Sequence, residues 1–144
     1  MVTPKGTKVG EHDGLMYYTL GQRKGLGIGG GHSDGTGAWY VLDKDLSNNE
    51  LIVGQGHDHN GLYQKCLTAS EIHWTSGSAP EFVNLNAKIR YRAQDAPCRI
   101  TNLNDTEISI EFEEPRFAIA PGQSVVFYSK NICLGGAVID KAFN

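Results

Sequence analysis

The sequence predicts an all-β protein: a small β-rich module over residues 1–61, then a C-terminal antiparallel β-barrel of about six strands over residues 62–144. Three observations carry that prediction. In the second part apolar and polar residues alternate at period two, the mark of strands with one buried face. Turn signals recur every eight to twelve residues, the spacing of a small closed barrel. Glycine is uneven, with fourteen of eighteen in residues 1–61, and the shift marks a change of module near the polar stretch GQGHDHNG at 54–61.

Taken in order, GLMYYTLG at 14–21 is a short strand candidate. AWYVLDKD and NELIVG flank DLSNN and predict a hairpin. In FVNLNAKIRYR, Val83, Leu85, Ala87, Ile89 and, if alternation is strict, Tyr91 share the expected core face, while Lys88, Arg90 and Arg92 share the other; at the strand end Tyr91 is alternatively placed to present its ring to a base. CRITNL at 98–103 and TEISIEFEE at 106–114 are joined by Asn104-Asp105 in a second hairpin, with Thr106, Ile108, Ile110 and Phe112 facing inward. Pro121-Gly122 suits the centre of a type II turn before the strand SVVFYS. NICLGGAVID is the last strand, expected to break at Gly135-Gly136 by a bulge or bend. Helical periodicity is absent.

Composition narrows the function classes. Thirteen Lys and Arg against sixteen Asp and Glu give a net charge of −3, so a polyanion must be met by a local patch and not by overall attraction. No apolar run approaches the roughly 18 residues of a membrane-spanning helix, and the N-terminal stretch lacks the apolar core of a signal peptide, so a soluble cytoplasmic protein with no membrane partner is expected. Cys66, Cys98 and Cys133 are spaced unlike zinc ligands and are expected to be small buried hydrophobes in a reducing compartment. GLGIGGG at 25–31 contains a formal G-x-G-x-x-G, but HSDGTG follows where a phosphate-cradling helix would have to begin. A loop open to backbone contact is expected there, with Gln22, Arg23 and Lys24 beside it as possible phosphate contacts. His57 and His59 lack a third ligand at readable spacing, so no metal site is expected. No nucleophile, base and oxyanion donor can be assembled into a catalytic set.

Lys88, Arg90 and Arg92 form a different kind of feature. Spacing of i, i+2 and i+4 on a strand sets three cations about 6.7 Å apart on one face. Arg99 on the next strand is placed to extend that row, or Glu107, Glu111 and Glu113 to neutralise it across the strands.

These motifs occur together in one order: GEHDGLMYYTLGQRKGLGIGG, WYVLDKD, LIVGQGHDH, KIRYR, APCRI, APGQSVVFY and CLGGAVID. So combined, the sequence resembles the C-terminal part of the bacterial tRNA-specific 2-thiouridylases over nearly its whole length. The resemblance implies a central β-rich domain followed by a β-barrel, which hold tRNA while another domain does the chemistry. It implies a parent enzyme that activates the wobble uridine, U34, with ATP and magnesium and takes sulfur from a persulfide carrier protein. The family's tRNA contacts carry over to Arg90, Tyr91 and Gln123, with Gln22, Arg23, Lys24, Lys88 and Arg92 as weaker candidates. The nucleotide-binding domain and both catalytic cysteines lie upstream in the family, so the chain is expected to be a non-catalytic fragment without a cofactor of its own. The competing reading is an independent β-barrel module binding protein or carbohydrate through the same strand face.

Overall fold

A computed structural model of the protein describes residues 1–32 and 35–144; Ser33 and Asp34 of the HSDGTG stretch lie outside the described residues. The chain divides into two compact units, Met1–Tyr63 and Gln64–Asn144.

In the first unit, β1 (Trp39–Asp45) and β2 (Glu50–Gln55) form the expected antiparallel hairpin. Its turn is closed by Asp45, whose Oδ1 accepts from the Asn48 amide, and by Asn49 in a left-handed conformation at φ 56°. Val2 runs parallel beside β2, its amide donating to the Leu51 carbonyl and its own carbonyl accepting from the Val53 amide. The strand expected within 14–21 is instead a single 3-10 turn, Leu15–Tyr17. Leu15 and Tyr18 insert into a core with Val41, Leu51 and Val53, whereas Met16 and Tyr17 point outward. Inward residues three apart fit a turn and not a strand, whose inward residues must be two apart.

The second unit is a closed barrel of six strands: β3 (Tyr63–Trp74), β4 (Asn84–Lys88), β5 (Ala96–Leu103), β6 (Glu107–Phe117), β7 (Ser124–Ser129) and β8 (Ile132–Phe143), in the order β3-β6-β5-β4-β7-β8. The two period-two alternations hold in their central residues: Leu85, Ala87 and Ile89, and Ile108, Ile110 and Phe112, fill the interior with Val125, Phe127, Ala137 and Ile139. Their ends depart from expectation. Val83 and Thr106 are exposed because each precedes the first residue of its strand. Phe112 and Phe127 are fully enclosed. Phe112→Ala is therefore expected to cost about 3–5 kcal/mol, read as a lowered urea midpoint at unchanged slope.

Strand β3 escaped the sequence reading because bulges interrupt its alternation. Leu67, Thr68 and Ala69 are buried in succession, the register slips at Thr68/Ala69 and again between Ser70 and His73, and Glu71 takes φ 52°. Strand β8 carries the expected bulge beside Gly135 but remains one strand through Gly135 and Gly136. The irregularity is a one-residue slip against β7 between Phe127 and Tyr128, beside a glycine at φ 153°.

Candidate nucleic-acid interface

The residues that carry the cationic face sit where β4 ends. Its last ladder pair with β7 is Lys88 with Val126, and β7 itself begins at Ser124. Beyond that point the ladder ends, and the Ala93 amide donates to the Arg90 carbonyl at 3.2 Å to close a turn over 90–93. The bend decides one expectation and corrects another. Tyr91 takes its strand-end alternative and stands 92% exposed outside the core, and Arg92 does not continue a row with Lys88 and Arg90 but lies in solvent outside the cleft described next.

The bend makes a concave site. Lys88, Arg90 and Tyr91 face Gln123, Val126 and Tyr128 across a cleft of about 330 Å³. Gln123 is delivered by the expected type II turn: its amide donates to the Ala120 carbonyl at 3.2 Å, and Gly122 takes φ 87° at the third position. Two further backbone bonds of 2.8 Å, Gly122 to Ile139 and Ile139 to Gln123, pin the turn to β8 and leave the Gln123 side chain exposed.

Arg90 is half-buried and fixed. Its Nη2 donates to the Ala118 carbonyl, and its guanidinium lies 5.2 Å from the centroid of the Phe117 ring. Ala118 itself is in the left-handed region at φ 47°. Burial lowers the pKa of Arg90, but a guanidinium remains cationic at neutral pH. One donor engaged out of five leaves a cation held in place with N–H groups still to offer. Lys88 lies 5.6 Å from the Tyr128 ring centroid on the facing strand. Arg99 pairs with Glu111 at 3.3 Å on the exposed surface of β5 and β6 and does not join the cleft.

Tyr128 was missed from the sequence. Alternation in SVVFYS puts Val125 and Phe127 inside and so turns Tyr128 outward, but only the pairing of Asn86 with Tyr128 sets it beside Lys88.

The other candidates belong to the first unit. Gln22 is engaged in its own turn: Oε1 accepts from the Thr19 amide at 3.0 Å and Nε2 donates to the Lys24 carbonyl at 2.9 Å. Arg23 and Lys24 are exposed. The glycine string beside them is irregular backbone anchored by buried Leu26 and half-buried Ile28, with Gly25, Gly27 and Gly31 at positive φ. His57 and His59 serve local structure, His59 Nδ1 accepting from the Gly61 amide at 3.0 Å and His57 Nδ1 lying 3.2 Å from the Tyr63 hydroxyl. Among the described residues no three His, Cys, Asp or Glu side chains converge on a metal-sized site.

The cysteines divide by environment. Cys98 is in the barrel core, where burial pushes its thiol up to about 12. Cys66 is half-buried, and burial, then the neighbouring Glu111 carboxylate, raises it. Cys133, expected to be buried, is exposed, since its partner in the ladder is the outward Tyr128. At pH 8 a thiol reagent is expected to label Cys133 first, Cys66 slowly and Cys98 only after denaturation, as followed by peptide mass spectrometry. Labelling of Cys98 at the rate of Cys133 in folded protein would contradict its burial. The raised value also has a sign: neutral Cys98 supports the fold fully below the ordinary thiol value of 9.0, and that support is lost as pH rises toward about 12.

By its fold the second unit is a closed six-stranded antiparallel barrel, with an exposed aromatic and a held cation just past the end of β4. Residues 64–139 match the family described as the aminomethyltransferase β-barrel domain, and residues 1–55 match the tRNA methyl transferase PRC-barrel domain. The chain is 54% identical over 145 residues to the tRNA-specific 2-thiouridylase of Methylococcus capsulatus, covering 99% of this chain and 39% of that protein. It is 55% identical over 132 residues to that of Haemophilus influenzae, covering 91% and 34%, and 51% identical over 138 residues to that of Idiomarina loihiensis, covering 95% and 37%. The chain belongs to the tRNA-specific 2-thiouridylase family and spans between a third and two fifths of the length of these relatives. Domain descriptions that speak of methyl and aminomethyl transfer beside relatives named for thiolation illustrate that a barrel fold does not fix a chemistry.

Proposed function

We propose that these two units are the tRNA-docking part of an enzyme that 2-thiolates the wobble uridine, U34, and that they take no covalent part in the reaction. The observation that carries this reading is the convergence of the adjacent pair Arg90 and Tyr91 with Gln123, distant from them in sequence, on one cleft. Each offers a different contact to RNA: a planar cation for phosphate, an exposed ring for an unstacked base, and an amide able to donate and accept at a sugar or base edge. Lys88 adds a second charge inside the cleft, and Arg92, Arg23 and Lys24 supply exposed cations outside it. Gln22 contributes by shaping its turn, because its amide is already paired.

On this reading ATP and magnesium are bound by a nucleotide-binding domain outside these 144 residues, sulfur arrives from a persulfide carrier protein, and the work is done in the cytoplasm. The residues present do not fit an ATP site: the glycine string is irregular backbone, and phosphate cradling requires a helix start behind it. Among the described residues no helix is long and apolar enough to cross a membrane.

The test is tRNA affinity of the 144-residue chain as a function of salt. Because the chain is net acidic, binding is expected to be weak, with a slope of about two to four phosphate contacts at roughly 0.7–0.9 per contact. Absence of tRNA binding at low salt would overturn the reading.

A further inference from the structure

We propose that a second nucleotide subsite adjoins the first on the outer wall of the barrel, with Tyr128 as the stacking platform between them, so that an unpaired RNA strand runs along the β4–β7 seam. This inference rests on the tRNA-docking reading and adds a ligand position to it. A second cleft of about 310 Å³ opens beyond Tyr128, bounded by Asn84, Asn86, Tyr128, Lys130 and Glu113. Tyr128 belongs to both clefts, so one ring forms their common wall.

Strand register fixes the geometry. Asn86 pairs with Tyr128 and Lys88 with Val126, so the outward residues of two adjacent strands make one track along β7 from Ser124 to Ser129, about 17 Å at the rise of a β-strand, with Lys130 in the turn just past its end. Cations mark both ends, Lys88 and Arg90 at the first cleft and Lys130 at the second. Between them lie an aromatic ring and two amides. This alternation suits a strand whose phosphates meet the cations and whose bases stack and hydrogen-bond between them, and it does not suit a duplex, whose bases are not free to stack on protein. Asn86 is held for that role, since its Nδ2 donates to Asp95 Oδ2 at 2.9 Å and its carbonyl oxygen is left to accept from a base. Glu113 opposes phosphate, which makes the second cleft a place for a base.

The experiment measures binding of the 144-residue chain to a single-stranded twelve-nucleotide RNA, to the same RNA annealed to its complement, and to heparin. Tyr128→Leu keeps apolar bulk but no aromatic face, and is expected to weaken single-strand binding about fivefold to hundredfold, the span of one lost base stack. Tyr128→Phe should bind within twofold of the parent, Asn84→Ala should bind less tightly, and Glu113→Gln should bind more tightly. Asn84 and Glu113 are exposed, so these two variants read the second cleft even where Tyr128→Leu lowers the melting temperature. If Arg90→Ala weakens binding while Tyr128→Leu, Asn84→Ala and Glu113→Gln leave it unchanged, the RNA is confined to the first cleft and the second subsite is overturned with docking intact. If heparin and duplex bind as tightly as the single strand, attraction is charge alone and the stacking platform is overturned. If neither Arg90→Ala nor Tyr128→Leu has an effect, the docking reading falls as well.

Discussion

Gly135→Ala is expected to abolish the folded barrel. A Cβ at this position would overlap the His73 carbonyl oxygen and stand 3.0 Å from the Trp74 Cα, and the backbone angle of φ 153° is one that side-chain-bearing residues rarely adopt. Both obstacles are backbone of the paired strand, so no rotamer change relieves them. Relief requires moving β3 away from β8 at the pairs His73 with Gly136 and Trp74 with Gly135, where the barrel closes. The cost belongs with the rare substitutions above about 4 kcal/mol, comparable with the whole stability of a small domain. Gly122→Ala is the matched comparison, since its φ is also positive but nothing lies within 4 Å; its cost should be about 1 kcal/mol. Far-ultraviolet circular dichroism and thermal melting decide the point: a Gly135→Ala protein as stable as Gly122→Ala would show that the strands do not approach as closely as described.

Arg90→Ala should produce the largest loss of tRNA affinity among single substitutions in the first cleft, about tenfold or more, with the salt slope reduced in magnitude by about one. The expectation follows from how the side chain is held. Its contacts with the Ala118 carbonyl and the Phe117 ring fix the guanidinium before RNA arrives, so little rotamer entropy remains to be lost on binding. Arg90→Lys keeps the charge without the planar fork, and should restore the slope more fully than the affinity. Because Arg90→Ala also removes packing between the end of β4 and the end of β6, a modest drop in melting temperature should accompany it, and affinity must be compared well below that transition. Glu111→Ala is the control, since Glu111 pairs with Arg99 outside the cleft. Arg90→Ala with unchanged affinity and slope would reduce Arg90 to a brace for the Phe117–Ala118 connection.

Period-two alternation was enough to identify strands β4 to β7 at their centres, because a strand with one buried face must repeat every second residue. The type II turn was legible for an equally local reason: Pro121 presets one dihedral and Gly122 tolerates the next. The family was legible from the combined motifs. Strand β3 was not, since its bulges erase the period that sequence reading depends on, and the 14–21 segment misled because aromatic and apolar residues there pack at turn spacing.

The site divides in the same way. Residue types suited to RNA at 88–92 and 123 were visible along the chain, but their arrangement was not. The row Lys88, Arg90 and Arg92 assumed a strand that continues, whereas the strand ends at Lys88, at its last pair with β7, and the chain turns over 90–93. That long-range limit turns Tyr91 out of the core and brings Gln123 and Tyr128 opposite Arg90 and Lys88. Local sequence sets which residues are able to be strand, turn or cation, through backbone preference and side-chain chemistry. Register between strands distant in sequence decides which of them meet, because it is fixed only when the barrel closes.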